Sequence, residues 1–445
     1  MAYFRNSRSA QFFIFASRIA FAITVFFIPF RWRVLLLPRP IFPLYADYTD
    51  FLLFASDISM LAMFVFWAFS IALDLRKLKT GPVLILLFLT GLTLAGWVSV
   101  LGSEDPLLSQ YHAIHFTALL LFFLYIVNEI ESAVWVLVPA GLQILFQSFI
   151  AIAQSISQTS LGLQKMGELV LDPDRSGVSV VLGDGFRFLR GYGLSDHPNI
   201  LGGCLAFGLV LMLAVILYGK RREPILASII FLVSFLALAL TFSRSAWISF
   251  FVAGSFMVGV EALSHRWDSV KRAAILGALS LLVAAPFIQN NLSVFSSRVN
   301  SGDVSKDEPM KERAYLMGAG NFIFVEHSAI GVGLGASPLA MEKHFPDFPL
   351  DYQPPHYALL ASAMETGVLG GAFYFLLLFM PLLMFIKNWK DYSSQPLIMG
   401  ASALLLAVTV VGLFDYYTWL YSAGRMWQWL AWGLWSSAIS SQRMA

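Results

Sequence analysis

The sequence predicts an all-α protein: a polytopic membrane helical bundle of about twelve transmembrane helices, with a large outer loop between spans 9 and 10. Hydrophobic residues make up 58% of the 445 and charged residues 13%. A soluble domain carries about 25% charged residues, so lipid must solvate much of this surface. Apolar runs of the ~20 residues needed to cross a bilayer recur along the whole chain. The 12 Trp and 15 Tyr supply rings that settle at membrane interfaces.

The first run, 12–30, follows Arg5 and Arg8 without a small-residue cleavage site, as in an uncleaved signal anchor. Spans 51–73, 82–101, 111–128 and 133–154 follow, then 198–218, 225–242, 245–262 and 273–289, and finally 357–386, 395–415 and 424–440. Between Ile225 and Val260 the only charge is Arg244. A single helix of that length would extend about 54 Å, and the hydrocarbon core is only about 30 Å thick. The run must fold as a hairpin that turns near Ser243–Ser245, with Arg244 at its mouth. Two connections are long, 155–197 and 290–356, and loops of that length are usually functional or disordered. The second holds a short amphipathic helix over Met310–Phe324 and the stretch Gly331-Val332-Gly333-Leu334-Gly335. With no internal repeat or low-complexity linker, 1–445 reads as a single integral membrane domain.

Lys and Arg in short connections set orientation. With about twelve spans, Arg5 and Arg8, Arg76, Lys77 and Lys79, Lys220, Arg221 and Arg222, Arg266, Lys271 and Arg272, Lys387 and Lys390, and Arg443 share one side. That side is expected to be cytoplasmic, with both termini on it and both long loops outside. Arg31, Arg33 and Arg39 break the pattern.

Several chemistries find no support. A net charge of +2 argues against wholesale nucleic-acid binding. The single cysteine, Cys204, has no partner for a disulfide within the chain. The seven histidines are scattered, without H-E-x-x-H or paired cysteines, so no metal site and no cofactor are expected. There is no P-loop and no Gly-x-Ser-x-Gly elbow.

Ionisable groups in or beside a membrane are functional candidates. Arg244, after Thr241-Phe242-Ser243, suits phosphate through its planar fork, or else snorkels at a helix end. Arg190-Gly191 precedes Asp196-His197-Pro198-Asn199-Ile200-Leu201-Gly202; Asp196 or His197 capping a helix with Pro198 at its first position explains part of this. Arg313 beside Lys311 and Glu312 is in isolation an ordinary solvated face. His356, after Pro354-Pro355, is a candidate base near neutral pH, or a satisfied helix-start histidine. Glu365 lies about 13.5 Å deeper on the opposite face of a regular helix. It cannot pair with His356 and needs its own buried partner. Asp415-Tyr416-Tyr417 either shapes an acceptor side or is a helix-end turn.

Taken in order, these motifs resemble the bacterial O-antigen ligase and O-antigen polymerase superfamily of membrane glycosyltransferases. They are Arg190-Gly191 with His197-Pro198-Asn199-Ile200-Leu201-Gly202, Thr241-Phe242-Ser243-Arg244, Arg313 ahead of Gly331–Gly335, and His356 with Glu365-Thr366-Gly367-Val368-Leu369-Gly370. The resemblance covers roughly 180–440, with Tyr357 where the family usually has Asn.

The resemblance implies an inverting, metal-independent glycosyltransferase on the outer, periplasmic face of the bacterial plasma membrane. The donor would be a glycan on a polyprenyl (undecaprenyl) diphosphate carrier, and the acceptor a hydroxyl on a glycan, lipid or protein, with membrane lipids around both. His356 is the implied general base; Arg244 and Arg313 would stabilise the departing diphosphate. Arg190, His197, Asn199, Ser243, Tyr357 and Glu365 are the implied substrate-binding residues. Two other readings use the same charges: a secondary transporter, with a broken helix near Gly367, and a flippase or scaffold for the lipid-linked glycan, which needs no base at His356.

Overall fold

The computed structural model describes residues 8–183, 186–220, 222–299 and 308–442. The chain begins with α1 (Arg8–Phe27), a hairpin of β1 (Arg33–Leu37) and β2 (Phe51–Phe54), then α2 (Ala55–Leu73), α3 (Val83–Ser99), α4 (Pro106–Glu129) and α5 (Val134–Ser157). A second hairpin, β3 (Val180–Gly183) with β4 (Phe186–Leu189), leads into α6 (Pro198–Tyr218), α7 (Glu223–Leu240), α8 (Arg244–Leu263) and α9 (Trp267–Asn290). The next connection contains α10 (Leu292–Val299), α11 (Glu308–Glu326) and α12 (Ser337–His344). The chain ends with α13 (Ala358–Lys387), α14 (Trp389–Tyr392), α15 (Pro396–Phe414), α16 (Tyr417–Leu420) and α17 (Ser422–Gln442).

Among the described residues, 11 helices are long and apolar enough to cross a membrane. Helices suit that role because they satisfy their backbone groups internally. The most apolar, α6, has a mean hydropathy of 2.8 and 89% of its spanning window is buried, which makes it the central post. The run expected at 424–440 is α17. Its Trp, Ser and Gln content keeps it out of the apolar class. It is enclosed by protein: Trp427, Trp429, Trp432 and Trp435 are fully buried. Trp432 Nε1 donates to Leu377 O at 3.0 Å and Trp435 Nε1 to Ser402 Oγ at 3.1 Å.

The two ends of the bundle differ in character. At one, basic connections clasp their neighbours: Arg76 pairs with buried Glu129 at 2.5 Å, and Arg266 NH2 reaches Ser393 O at 2.6 Å. Arg5, Arg221 and Arg443, which belong to the orientation argument, lie outside the described residues. At the other end the three arginines that broke the charge pattern are neutralised within the protein. Arg31 and Arg33 both pair with Asp196, at 2.8 and 2.9 Å, Arg33 also with Asp47, and Arg39 with Asp105 at 2.6 Å. They are rivets between the β1–β2 hairpin and the bundle, so their sign reports local pairing rather than orientation.

The helix expected over Met310–Phe324 is present as α11, with Leu316, Ala319 and Ile323 buried and Tyr315, Phe322 and Val325 exposed. The span expected at 357–386 is present as α13, but it is broken at Gly367, whose φ of 70° and ψ of −177° are non-helical. The glycine-rich segment lies against the break. Val332 N donates to Met364 O at 3.0 Å, Gly333 N to Glu365 O at 3.1 Å, and Val368 N to Ser328 O at 2.8 Å. Backbone groups freed by the break are thus paired. Gly331, Gly333 and Gly335 all have positive φ, and a Cβ on Gly331 would overlap the Glu365 carbonyl. Only glycine permits that approach.

Candidate active site

The α7–α8 hairpin forms as its length demanded. Its turn is Thr241–Ser243, with Phe242 left-handed at φ 49°, and Arg244 is the first residue of α8. Ser243 Oγ lies 3.3 Å from Ser245 Oγ. Arg244 is half-buried at this mouth. The turn is braced from the neighbouring loop: Gly191 N donates to Leu240 O at 2.9 Å, and Arg190 Nε to Thr241 O at 2.6 Å.

Buried Arg190 starts a chain of hydrogen bonds with defined polarity. Its NH1 donates to Ser179 Oγ at 2.7 Å and its NH2 to Asn199 Oδ1 at 2.6 Å. Since guanidinium only donates, the Asn199 amide is oriented, and its Nδ2 donates to Asp415 Oδ2 at 3.1 Å. The other carboxylate oxygen, Oδ1, accepts from Tyr416 N at 2.9 Å and lies 3.2 Å from His356 Nδ1. An ionised carboxylate can only accept, so the proton on His356 is assigned to Nδ1, leaving the Nε2 lone pair available.

Electrostatics reinforce this. Burial alone would raise the Asp415 carboxyl; His356, hydrogen-bonded to it, with Arg313 and His197, brings it below the usual carboxylate range. Arg313, on α11, is thus near enough to act on this carboxylate through its charge. The neighbouring Glu312 Oε1 accepts from Gln353 Nε2 at 2.5 Å, and Gln353 Oε1 accepts from Tyr416 OH at 3.1 Å. Tyr416 also packs edge-on to the His356 ring, 4.9 Å between centroids, and meets Tyr48 OH at 3.0 Å. These contacts hold α11 to the segment that carries His356.

His197 caps α6. Its Nδ1 accepts from Asn199 N at 3.1 Å with Pro198 at the first helical position. Burial, then Arg190, pushes its imidazole down to about 3, against the pull of Asp415. It is a neutral capping group, not a second base. An unfolded histidine takes up a proton below about pH 6.5, while the folded one stays neutral to about 3. The unfolded state binds the extra proton in that window, so this group's contribution is fully present above about pH 6.5 and falls as the pH drops. Asp415, depressed when folded, loses its contribution in acid too, as pH falls through its lowered value. We predict that His197→Asn, which keeps a capping side chain, loses less melting temperature than wild type between pH 7.5 and 5. Equal losses would remove His197 from the acid response.

The sequence candidates thus divide. Arg190, His197, Asn199, Arg313 and His356 converge on Asp415, and Ser243 and Arg244 sit on the turn that Arg190 braces. Tyr357, half-buried, stands at the N-cap position of α13 beside His356, without a side-chain capping bond. Glu365 stands apart, fully buried in the bundle. It accepts from Gly335 N at 2.8 Å, Ser337 Oγ at 2.6 Å and Trp419 Nε1 at 2.7 Å, and so locks the glycine-rich segment to α13 and α16. The residue the sequence left without a role is Asp415. Its signal was a lone carboxylate at a span end, in a chain with few charges. An open groove of about 810 Å³ adjoins the α7–α8 turn, lined by Leu240, Phe287, Arg187 and Asn291 among others. It does not include His356. Away from this centre, Glu104, His327 and His344 come together as the one candidate metal-binding group among the described residues.

Residues 229–375, a third of the chain, match the family model described as O-Antigen ligase. The match contains Ser243, Arg244, Arg313, His356, Tyr357 and Glu365; Arg190, His197, Asn199 and Asp415 lie outside it. No curated protein matches the chain. Over 229–375 the chain is similar to the O-antigen ligase family, and this match, in a chain with 11 helices long and apolar enough to cross a membrane among the described residues, supports a membrane protein of ligase or polymerase type.

Proposed function

We propose that the protein transfers a glycan from a polyprenyl diphosphate carrier to an acceptor hydroxyl on the outer face of the bacterial plasma membrane, with inversion and without a metal at the diphosphate. The observation that carries the reading is the chain Arg190–Asn199–Asp415–His356, which leaves Nε2 of a carboxylate-backed histidine available. His356 Nε2 takes the proton of the acceptor hydroxyl as that oxygen bonds the anomeric carbon. The bond from that carbon to the diphosphate breaks, and its electron pair leaves with the diphosphate. Asp415 stabilises the imidazolium, and the proton then passes to the released diphosphate or to solvent. Arg244 and Arg313 meet the charge that develops on the leaving group, a role that in other enzymes falls to cations or preorganised donors. Arg190, His197 and Asn199 position these groups from behind.

The transporter reading uses the broken helix at Gly367. The carbonyls of Met364 and Glu365 at that break are already occupied by Val332 and Gly333 N–H, which weighs against a substrate there.

The test follows release of polyprenyl diphosphate by purified protein from a lipid-linked glycan, with candidate acceptors and excess chelator. Release by wild type should persist with chelator and fall by about 10²–10³-fold in Arg244→Ala, the usual cost of one charge-stabilising donor. Tight donor binding without release under any condition would instead support a flippase or scaffold.

A further inference from the structure

Glu104, His327 and His344 stand on three different elements. Glu104 follows α3 and is held by its backbone N–H on Val332 O at 3.0 Å. His327 directly follows α11, and its carbonyl accepts from Gly331 N at 2.9 Å. His344 is the last residue of α12. All three are half-buried. The two imidazoles point Nε2 to Nε2 at 3.3 Å, and a ligand oxygen of Glu104 lies within 4.8 Å of both.

We propose that these three side chains form a divalent-metal site, with Zn²⁺ the best-fitting ion. A tetrahedral zinc bonded to nitrogen at about 2.0–2.1 Å has ligand atoms about 3.3–3.4 Å apart along each edge. The imidazole nitrogens already sit at that separation. Two imidazoles and one carboxylate are a donor set that suits zinc and leaves a fourth place for water. The outer contacts also fit. His344 Nδ1 faces Glu326 Oε2 at 3.7 Å, the kind of carboxylate that orients a ligating histidine. Lys343 Nζ holds Glu104 Oε2 at 2.6 Å and is itself largely exposed, so that carboxylate is oriented from the solvent side.

The ion would clamp α11 and α12 to the α3–α4 connection. It would thereby fasten the large connection that carries Arg313 without touching His356. Nothing in the sequence pattern points to it, because the three ligands belong to no metal-binding spacing and are brought together by the return of the chain around Gly331–Gly335.

The test uses the full chain in detergent, with an affinity tag free of histidine, stripped by chelator and then dialysed. Zn²⁺ alone is titrated by calorimetry, metal content per chain is measured, and melting temperature is recorded with and without zinc. Wild type and the control His265→Asn should take up one zinc per chain and melt higher with it. His327→Gln and His344→Gln should bind at least tenfold more weakly and show no zinc-dependent shift. Metal-free melting temperatures equal to wild type certify that each variant is folded; Glu104→Gln replaces any that is not. The proposal fails if wild type binds no stoichiometric zinc, or if the histidine variants bind as tightly as wild type. The pair would then be a hydrogen bond between two histidines. None of these readouts involves glycan transfer, so the outcome is independent of the proposed reaction.

Discussion

His356→Ala lowers the turnover number for polyprenyl diphosphate release by about 10²–10⁴-fold, the contribution of a positioned base to deprotonating an alcohol. KM for the lipid-linked donor should stay close to wild type, because the arginines proposed to meet the diphosphate are untouched. The split matters: a base acts in the transition state, so its loss appears in turnover rather than in donor binding. The variant should keep most of its melting temperature, since His356 stands at a helix end, bonded to one carboxylate and packed edge-on to the Tyr416 ring, and is not part of the buried core. Wild-type turnover in His356→Ala would end its assignment as base and favour a scaffold or flippase.

Asp415→Asn should have an effect of the same order, about 10²–10⁴-fold on turnover, through His356. The carboxylate receives Asn199 Nδ2 on one oxygen and Tyr416 N–H with His356 Nδ1 on the other. An amide cannot accept at both ends. With its nitrogen toward His356 it faces the Tyr416 N–H and drives the histidine into the tautomer that lacks a free Nε2 lone pair. With its nitrogen toward Asn199 it opposes another NH₂, and Asn199 cannot turn over because Arg190 offers only donors. Either orientation removes the charge that stabilises the imidazolium and strands one buried donor, at a cost of about 1–3 kcal/mol. The double variant decides the mechanism. If Asp415 acts through His356, adding Asp415→Asn to His356→Ala lowers turnover little further, because groups that act as a unit are not additive. A full second loss would show that Asp415 works elsewhere.

Much of the bundle was legible because membrane spans obey one strong rule, a long apolar run with its backbone bonded to itself. The α7–α8 hairpin followed from length alone, and its turn placed Arg244 at a helix mouth. His197 with Pro198 read as a helix start and is one. Other features depend on contacts between distant segments. The pairing of His356 with Asp415 needs the start of α13 and the end of α15 side by side. Arg31, Arg33 and Arg39 broke the charge count because their partners Asp196 and Asp105 lie in distant connections, and a count of basic residues does not see such pairing. The interruption at Gly367, which the transporter reading weighed from the glycine itself, leaves no mark on the apolar pattern, which runs straight through it. Burial of α17 reversed the usual inference: its tryptophans are turned toward protein partners rather than toward a membrane interface.

The glycine-rich segment has a consequence for how this chain can be recombined. The connection between α9 and α13 looks like a removable insert, joined to the membrane portion at two points. It is stitched through the middle as well, where 332 and 333 complete the backbone of 364 and 365 and Glu365 reaches back to Gly335 and Ser337. A chimera that exchanged the connection at its ends would split one hydrogen-bonded unit between two parents. Functional cassettes must carry 328–337 and 362–370 together, from the same parent.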